Sequence, residues 1–143
     1  MTRKIAIASD HGGYSLKEAI KARFDDIEWL DLGTDSEESV DYPDFGVRLA
    51  KAIENGEVEQ GIIICGTGIG ISIAANRNKA VRAGLCTDTT MARLTRQHND
   101  ANVLALGERV TGRETAFDIV EVFLNTAFEG GRHARRVEKL GDC

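Results

Sequence analysis

Residues 61–77, GIIICGTGIGISIAANR, constrain the fold more than any other stretch. Ile62, Ile63 and Ile64 form a β-branched apolar run between Gly61 and Gly66, which reads as a strand buried on both faces. Cys65 closes that strand. Gly66, Gly68 and Gly70 then recur at every second position, and residues 71–75 are small and apolar enough to wind into a helix. The predicted unit is strand, glycine turn, helix, with a thiol at the C-terminal tip of the strand. In open α/β sheets that edge is where ligands bind. Glycine accepts unusual φ/ψ and lets main-chain donors approach an anion closely, and the helix start adds partial positive charge.

The turn is not a nucleotide loop. A dinucleotide fingerprint needs G-x-G-x-x-G, and here the third glycine comes one residue early, with Ser72 and Ile73 beyond it; a phosphate-loop G-K-[ST] ending is also missing. A small anion fits better. A thiol beside a helix start is expected to ionise below its free value of about 8.5, which makes Cys65 a candidate base or nucleophile. Cysteine is often simply buried, but the glycine-rich surroundings favour the chemical reading.

The chain has 143 residues, which fits a single domain with a real core, and 42% hydrophobic with 29% charged residues describes a water-soluble globular protein. No apolar run approaches the ~20 residues of a membrane span, and MTRKIAIASD leads into a strand pattern rather than a signal peptide, so a cytoplasmic location is expected. A net charge of −5 with dispersed basic residues argues against a nucleic-acid partner. Cys65, Cys86 and Cys143 are odd in number and at no metal-ligand spacing, which disfavours a disulfide framework and a zinc site.

In chain order, residues 4–8 read as a first strand, and Ser9-Asp10-His11-Gly12-Gly13 as a turn aiming Asp10 and His11 toward the same cavity as Cys65. Residues 15–24 read as a helix with Ser15 as N-cap and Glu18 completing a capping box. Residues 27–32 are a second strand, 33–41 an acidic loop, and Tyr42-Pro43-Asp44 opens a helix to about residue 55. Residues 82–86 are a fourth strand, 90–97 a helix with Met91 and Leu94 inward, 98–102 a polar cluster, and 103–106 a fifth strand. An amphipathic helix follows over 113–126, with Ala116, Ile119, Val120, Phe123 and Leu124 apolar. Near the C-terminus Arg132 and Arg136 stand at i and i+4, so a helix would aim both guanidinium groups the same way, a pattern suited to phosphate and equally found on solvated basic tails. Strand–helix alternation five times over predicts a three-layer α/β/α sandwich on a five-stranded parallel, Rossmann-like sheet. His11, His98 and His133 all fall in predicted turns or tails beside polar residues, which suggests proton handling near pH 7.

From residue 4 to about 136 the chain closely resembles ribose-5-phosphate isomerase type B and the related galactose- and allose-phosphate isomerases. The resemblance rests jointly on Ser9-Asp10-His11-Gly12, Asp41-Tyr42-Pro43, Cys65-Gly66-Thr67-Gly68-Ile69-Gly70-Ile71-Ser72, Arg96-Gln97-His98-Asn99-Asp100 and Glu129-Gly130-Gly131-Arg132-His133. It implies a metal-independent, cofactor-free aldose–ketose isomerisation through an enediolate, most directly between ribose 5-phosphate and ribulose 5-phosphate. By the same resemblance Cys65 is the base between C2 and C1, and Thr67 moves a proton between the oxygens. The main-chain donors of the run from Gly66 through Ser72, with Gly66, Gly68, Ile69, Gly70 and Ser72 as substrate-binding positions, form an anion hole, and His98 opens the furanose. Asp10, His11 and Tyr42 belong with the sugar, and Arg132 and Arg136 with the phosphate. A homodimer with shared sites, or a tetramer of such dimers, is implied, with His98, Asn99 and Arg109 reaching in from a second subunit and the segment from about 127 packing on or across the dimer. The first and third strands are expected to be neighbours. One branch of the family replaces the cysteine by a glutamate beyond the glycines; here that position is Ile71, so Cys65 has no substitute. A different aldose phosphate, of hexose or tetrose size, and a non-catalytic phosphometabolite-binding module remain alternatives at this level.

Overall fold

The computed structural model describes residues 3–143, so the first two residues of the opening MTRKIAIASD lie outside the described residues. The elements are β1 (Lys4–Ser9), a 3-10 turn (His11–Gly13), α1 (Tyr14–Arg23), β2 (Glu28–Asp31), α2 (Tyr42–Glu54), β3 (Gly61–Cys65), α3 (Ile69–Asn76), β4 (Ala83–Leu85), α4 (Thr89–Asn99), β5 (Val103–Gly107), α5 (Arg113–Asn125) and α6 (Arg132–Leu140). The sheet is five-stranded in the order β2-β1-β3-β5-β4, with every pairing parallel. β1 and β3 are neighbours, as the family resemblance implied, and Cys65 stands opposite Gly107.

Alternation along the strands divides the core in two. Ile5, Ile7, Ile62, Ile64, Leu104 and Leu106 face one side, where Leu16 and Ile20 of α1, Ala92 of α4, and Ala116, Ile119, Val120 and Phe123 of α5 cover them. Ala6, Ala8, Ile63, Cys65 and Ala105 face the other, under Leu49 of α2 and Ile71 and Ala75 of α3. All five residues of β3 are buried, as a strand covered on both faces requires. Among the described residues no helix is long and apolar enough to cross a membrane.

Several local expectations are corrected. Ser15 does not cap α1: the 3-10 turn runs straight into a helix that begins at Tyr14, with Gly13 at the cap position and no side-chain cap. The free Leu16 N–H is instead met by Glu108 Oε1 at 2.6 Å, from across the sheet edge, while Glu18 pairs with Lys17 and Lys21. Helix α4 is longer than its periodicity suggested because Asp88 accepts from Met91 N–H at 2.8 Å and Asp100 adopts the left-handed region at φ 47° to end it. His98 and Asn99 therefore sit in the last helical turn, not in a loop. Met91 is exposed, and the inward positions are Ala92 and Arg96, the latter held by Thr126 O, Ala101 O and Asp100 Oδ1.

Lys17 is 1% exposed, and its ammonium lies 2.7 Å from Asp31 Oδ2, which Lys21 also meets at 2.7 Å. Burial alone would raise the Asp31 carboxyl, but hydrogen bonds from Lys17, Lys21 and the Gly33 N–H outweigh it and hold the group below its ordinary value. A carboxyl that titrates lower in the folded chain contributes stability above its unfolded value of about 3.9, and that contribution is lost as pH falls through the folded value. Asp31→Asn is expected to lower unfolding stability at pH 7 by about 1–3 kcal/mol. In denaturant titrations the gap to the parent should close on acidification to below the ordinary aspartate range; a gap independent of pH would contradict the assignment.

Candidate active site

The C-terminal edge of the sheet collects most of the residues singled out in the sequence. Cys65 ends β3 with 5% exposure, and its Sγ accepts from the Gly68 N–H at 3.2 Å. The sulfur is turned toward the glycine turn. Gly68 adopts φ +80°, and a Cβ there would lie 2.9 Å from Leu106 O, so both conformation and space require glycine. Thr67 Oγ1 accepts from the Ile69 N–H at 3.1 Å, which fixes the hydroxyl oxygen and leaves its hydrogen free to donate.

The expected ring of donors is redistributed. The Gly68 N–H is used by Cys65, that of Ile69 by Thr67, and that of Ser72 by Gly68 O at 3.2 Å, while Ser72 Oγ donates to Ile69 O. The N–H groups of Gly66, Thr67, Gly70 and Ile71 have no protein partner among the described residues. These are the donors available to an anion. The sequence could not divide the run from Gly66 through Ser72 into used and free donors, because which N–H groups a turn consumes depends on its closed geometry.

Around this turn, Asp10 Oδ1 accepts from Gly13 N–H at 3.2 Å, and a Cβ on Gly12 would lie 3.3 Å from Asp10 Oδ1 and 3.4 Å from Gly66 N. The first turn thus packs directly on the central one. His11 Nδ1 accepts from the Val40 N–H at 3.1 Å, which fixes its tautomer and ties down the acidic loop, a role for Val40 that no side-chain pattern signals. The Tyr42 ring covers Gly70, whose missing Cβ makes the room. Arg109 lies against Gly66 of its own chain: a Cβ on Gly66 would be 3.4 Å from Arg109 Cδ. Its expected arrival from a second subunit is therefore corrected, since it follows β5 directly and emerges at the same edge as Cys65.

His98, Asn99, Arg132 and Arg136 lie at the opposite edge. Helix α4 runs back along the sheet and delivers His98 just before β5, where the Gly61 N–H donates to Asn102 O at 3.0 Å. β3 alone separates the two edges by about 13 Å at ~3.3 Å per residue. The Glu129 N–H donates to Gln97 O at 3.1 Å and α6 packs on α4, so both arginines, exposed on α6, accompany His98. His133, expected in an open tail, is 7% exposed and stacks on His98 with ring centroids 4.3 Å apart and planes inclined by 14°. Glu129 Oε1 stands 3.4 Å from His133 Nε2 and 3.8 Å from His98 Nε2. These three ligand-type atoms lie within 4.8 Å of one another, but a nitrogen lone pair lies in its ring plane, and one ion cannot lie in two stacked, nearly parallel planes. Burial first, then His98 and Arg132, hold the His133 imidazole below its ordinary pKa, with Glu129 acting against them and Arg136 with them.

The sequence pattern of the Ribose/Galactose Isomerase family matches residues 5–140. The chain belongs to this family. It is an enzyme, an isomerase, and its relatives agree along its whole length. Ribose-5-phosphate isomerase B of Escherichia coli (strain K12) is 49% identical over 140 residues, covering 96% of this chain and 94% of that protein. The solved structure of Clostridium thermocellum ribose-5-phosphate isomerase B is similar at 56% identity and TM-score 0.96, covering 97% and 95% of the two chains. A ribose 5-phosphate isomerase from Thermotoga maritima superimposes with TM-score 0.97 at 51% identity over 100% of both chains.

Within this isomerase the glycine turn is held from behind. A Cβ on Gly107 would lie 2.5 Å from both C and O of Thr67. Gly107→Ala is expected to push the turn off the sheet edge, cost about 1–3 kcal/mol of stability and lower isomerase activity more than tenfold. Thermal denaturation with kcat/KM checks this; wild-type values of both would show that the contact yields freely.

Proposed function

We propose that the chain is a metal-independent aldose–ketose isomerase that interconverts ribose 5-phosphate and ribulose 5-phosphate. The observation that carries this reading is the Cys65 sulfur aimed at the glycine turn, 3.2 Å from the Gly68 nitrogen, beside four unused N–H groups. The names of the E. coli and C. thermocellum relatives support the choice of substrate.

In this reading the Cys65 thiolate takes the proton from C2 of the linear aldose. Negative charge then develops on the enediolate oxygens, where the free N–H groups of Gly66, Thr67, Gly70 and Ile71 are already aimed. One such preorganised donor is worth about 2.7–4 kcal/mol where it has been measured by mutation. The Thr67 hydroxyl carries the hydroxyl proton from O2 to O1, and Cys65 returns its proton to C1. Asp10, His11, Tyr42 and Arg109 border the same edge and hold the sugar. His98 opens the furanose and Asn99 binds beside it, while Arg132 and Arg136, on one face of α6, take the phosphate.

Because these last groups stand at the far edge, one chain holds two half-sites that cannot meet. A two-fold dimer joins them: the Cys65 edge of one protomer receives His98 of the partner subunit, and the exchange is reciprocal, giving two complete sites. Exposed Ile69, Ile73, Tyr42 and Val110 around the glycine turn support a covered surface there.

Cys65→Ala is expected to lower kcat/KM by about 10²–10⁴-fold, the usual worth of a positioned base. In deuterium oxide the wild type should place solvent deuterium on the sugar carbons, and chelator treatment should leave the rate unchanged. Full activity of Cys65→Ala would reject the base, and loss of activity with chelator would reject metal independence. A panel of pentose, hexose and tetrose phosphates, compared by kcat/KM, decides the preferred sugar. Mixing inactive Cys65→Ala with inactive His98→Asn should restore about a quarter of the wild-type activity through hybrid dimers with one intact site; no recovery would reject the shared site.

A further inference from the structure

The far-edge cluster contains two side chains that the proposed chemistry does not use. Glu129 and His133 surround the His98 ring: one imidazole is stacked on it at 4.3 Å and 14°, and one carboxylate oxygen lies within 3.4–3.8 Å of both Nε2 atoms. His133 is itself fixed, being 7% exposed on α6, and the Glu129 backbone is fastened to Gln97 O, next to His98 in sequence. By contrast the His98 side chain is 39% exposed and makes no hydrogen bond to the chain among the described residues. Its orientation therefore depends on the stack and the carboxylate.

We propose that Glu129 and His133 are positioning residues for His98, holding the plane of its ring and supplying the counter-charge for the proton it carries during ring opening. This rests on the reading of His98 as the group that opens the sugar ring. Opening the furanose breaks the C1–O4 bond, adds a proton to O4 and removes one from the hydroxyl on C1, so a single imidazole that gives one proton and takes the other balances the step. Two parallel rings in van der Waals contact cannot both be cationic at low cost, and the buried member, His133, is the one held neutral by burial, His98, Arg132 and Arg136, with Glu129 opposing. Glu129 Oε1, 3.8 Å from His98 Nε2, is then placed to face the proton that His98 handles during ring opening. A flat ring at position 133 is needed for the stack, and a charge at position 129 for the proton.

Ribulose 5-phosphate offers a measurement free of ring chemistry, because the hydroxyl that would close its five-membered ring carries the phosphate. Exchange of its C1 hydrogen with solvent deuterium needs the thiol but no ring opening, whereas conversion of ribose 5-phosphate needs both. The test is the ratio of these two rates in Glu129→Gln, His133→Ala, His133→Phe and His98→Asn. The ratio of conversion to exchange should fall at least fivefold in His98→Asn, Glu129→Gln and His133→Ala, and recover by more than half in His133→Phe, which restores the stacked ring. Equal loss of both rates in His98→Asn would overturn the ring-opening role itself and this inference with it. A lowered ratio in His98→Asn together with an unchanged ratio in Glu129→Gln and His133→Ala would overturn the positioning role alone. Glu129→Gln keeps its shape at an exposed site, so its result stands even where His133→Ala unfolds.

Discussion

The glycine turn between β3 and α3 lies so close to its neighbours that no side chain fits between them, and the C-terminal edge of the sheet depends on that approach. Gly68 sits on Leu106, Gly107 sits under Thr67, and a Cβ on Gly13 would lie 2.7 Å from Ile64 O. The glycine turn is thereby clamped to β5, and the turn after β1 to β3. The clamp leaves the Gly68 N–H no better acceptor than the Cys65 sulfur at 3.2 Å, so the same backbone geometry that closes the core also directs the thiol. Small side chains on the α2/α3 face of the sheet, Ala6, Ala8 and Ala105, let those helices pack near enough for α3 to begin directly above Cys65.

A parallel sheet has two chemically different edges, and this chain uses both. The C-terminal edge gathers loops that follow strands, which is why Asp10, Cys65 and Arg109 arrive together although they are far apart in sequence. The N-terminal edge gathers helix ends, and with them His98 and the segment leading to α6. No local rearrangement of one chain brings these sets within bonding distance, because β3 stands rigidly between them with every residue buried. Topology therefore keeps the two sets of side chains apart within one chain.

Much of this was legible in residue patterns. The triple isoleucine with flanking glycines gave the buried central strand, and the apolar positions of α5 coincide with its buried face at Ala116, Ile119, Val120, Phe123 and Leu124. What patterns could not give was competition for hydrogen bonds. Ser15 has the right spacing for a capping box, yet the helix already begins at Tyr14, and its first-turn Leu16 N–H is met by Glu108, 92 positions away in sequence. Arg96 stands out in the sequence only as part of a motif, and it is buried because three oxygens, from the end of α5 and from its own helix end, converge on it. His133 reads as part of a basic tail, and only the fold of α6 onto α4 reveals it as the partner of His98. Each miss is a long-range contact overriding a local preference.

The three cysteines make the same point about chemistry. Cys86, behind the sheet edge after β4, has its thiol pushed up to about 12 by burial and by Asp88, and its sulfur finds only Gly84 O at 3.8 Å. An acceptor and a carboxylate are the wrong company for a sulfur anion, so Cys86 stays protonated and inert. Cys143 is exposed and contacts only its own helix end. Cys65 is nearly as buried as Cys86, but it meets a donor where Cys86 meets an acceptor. Burial alone therefore does not distinguish Cys65 from Cys86, both at the C-terminal end of a strand; the sign of the nearest backbone dipole does, the Gly68 N–H for one sulfur and the Gly84 carbonyl for the other.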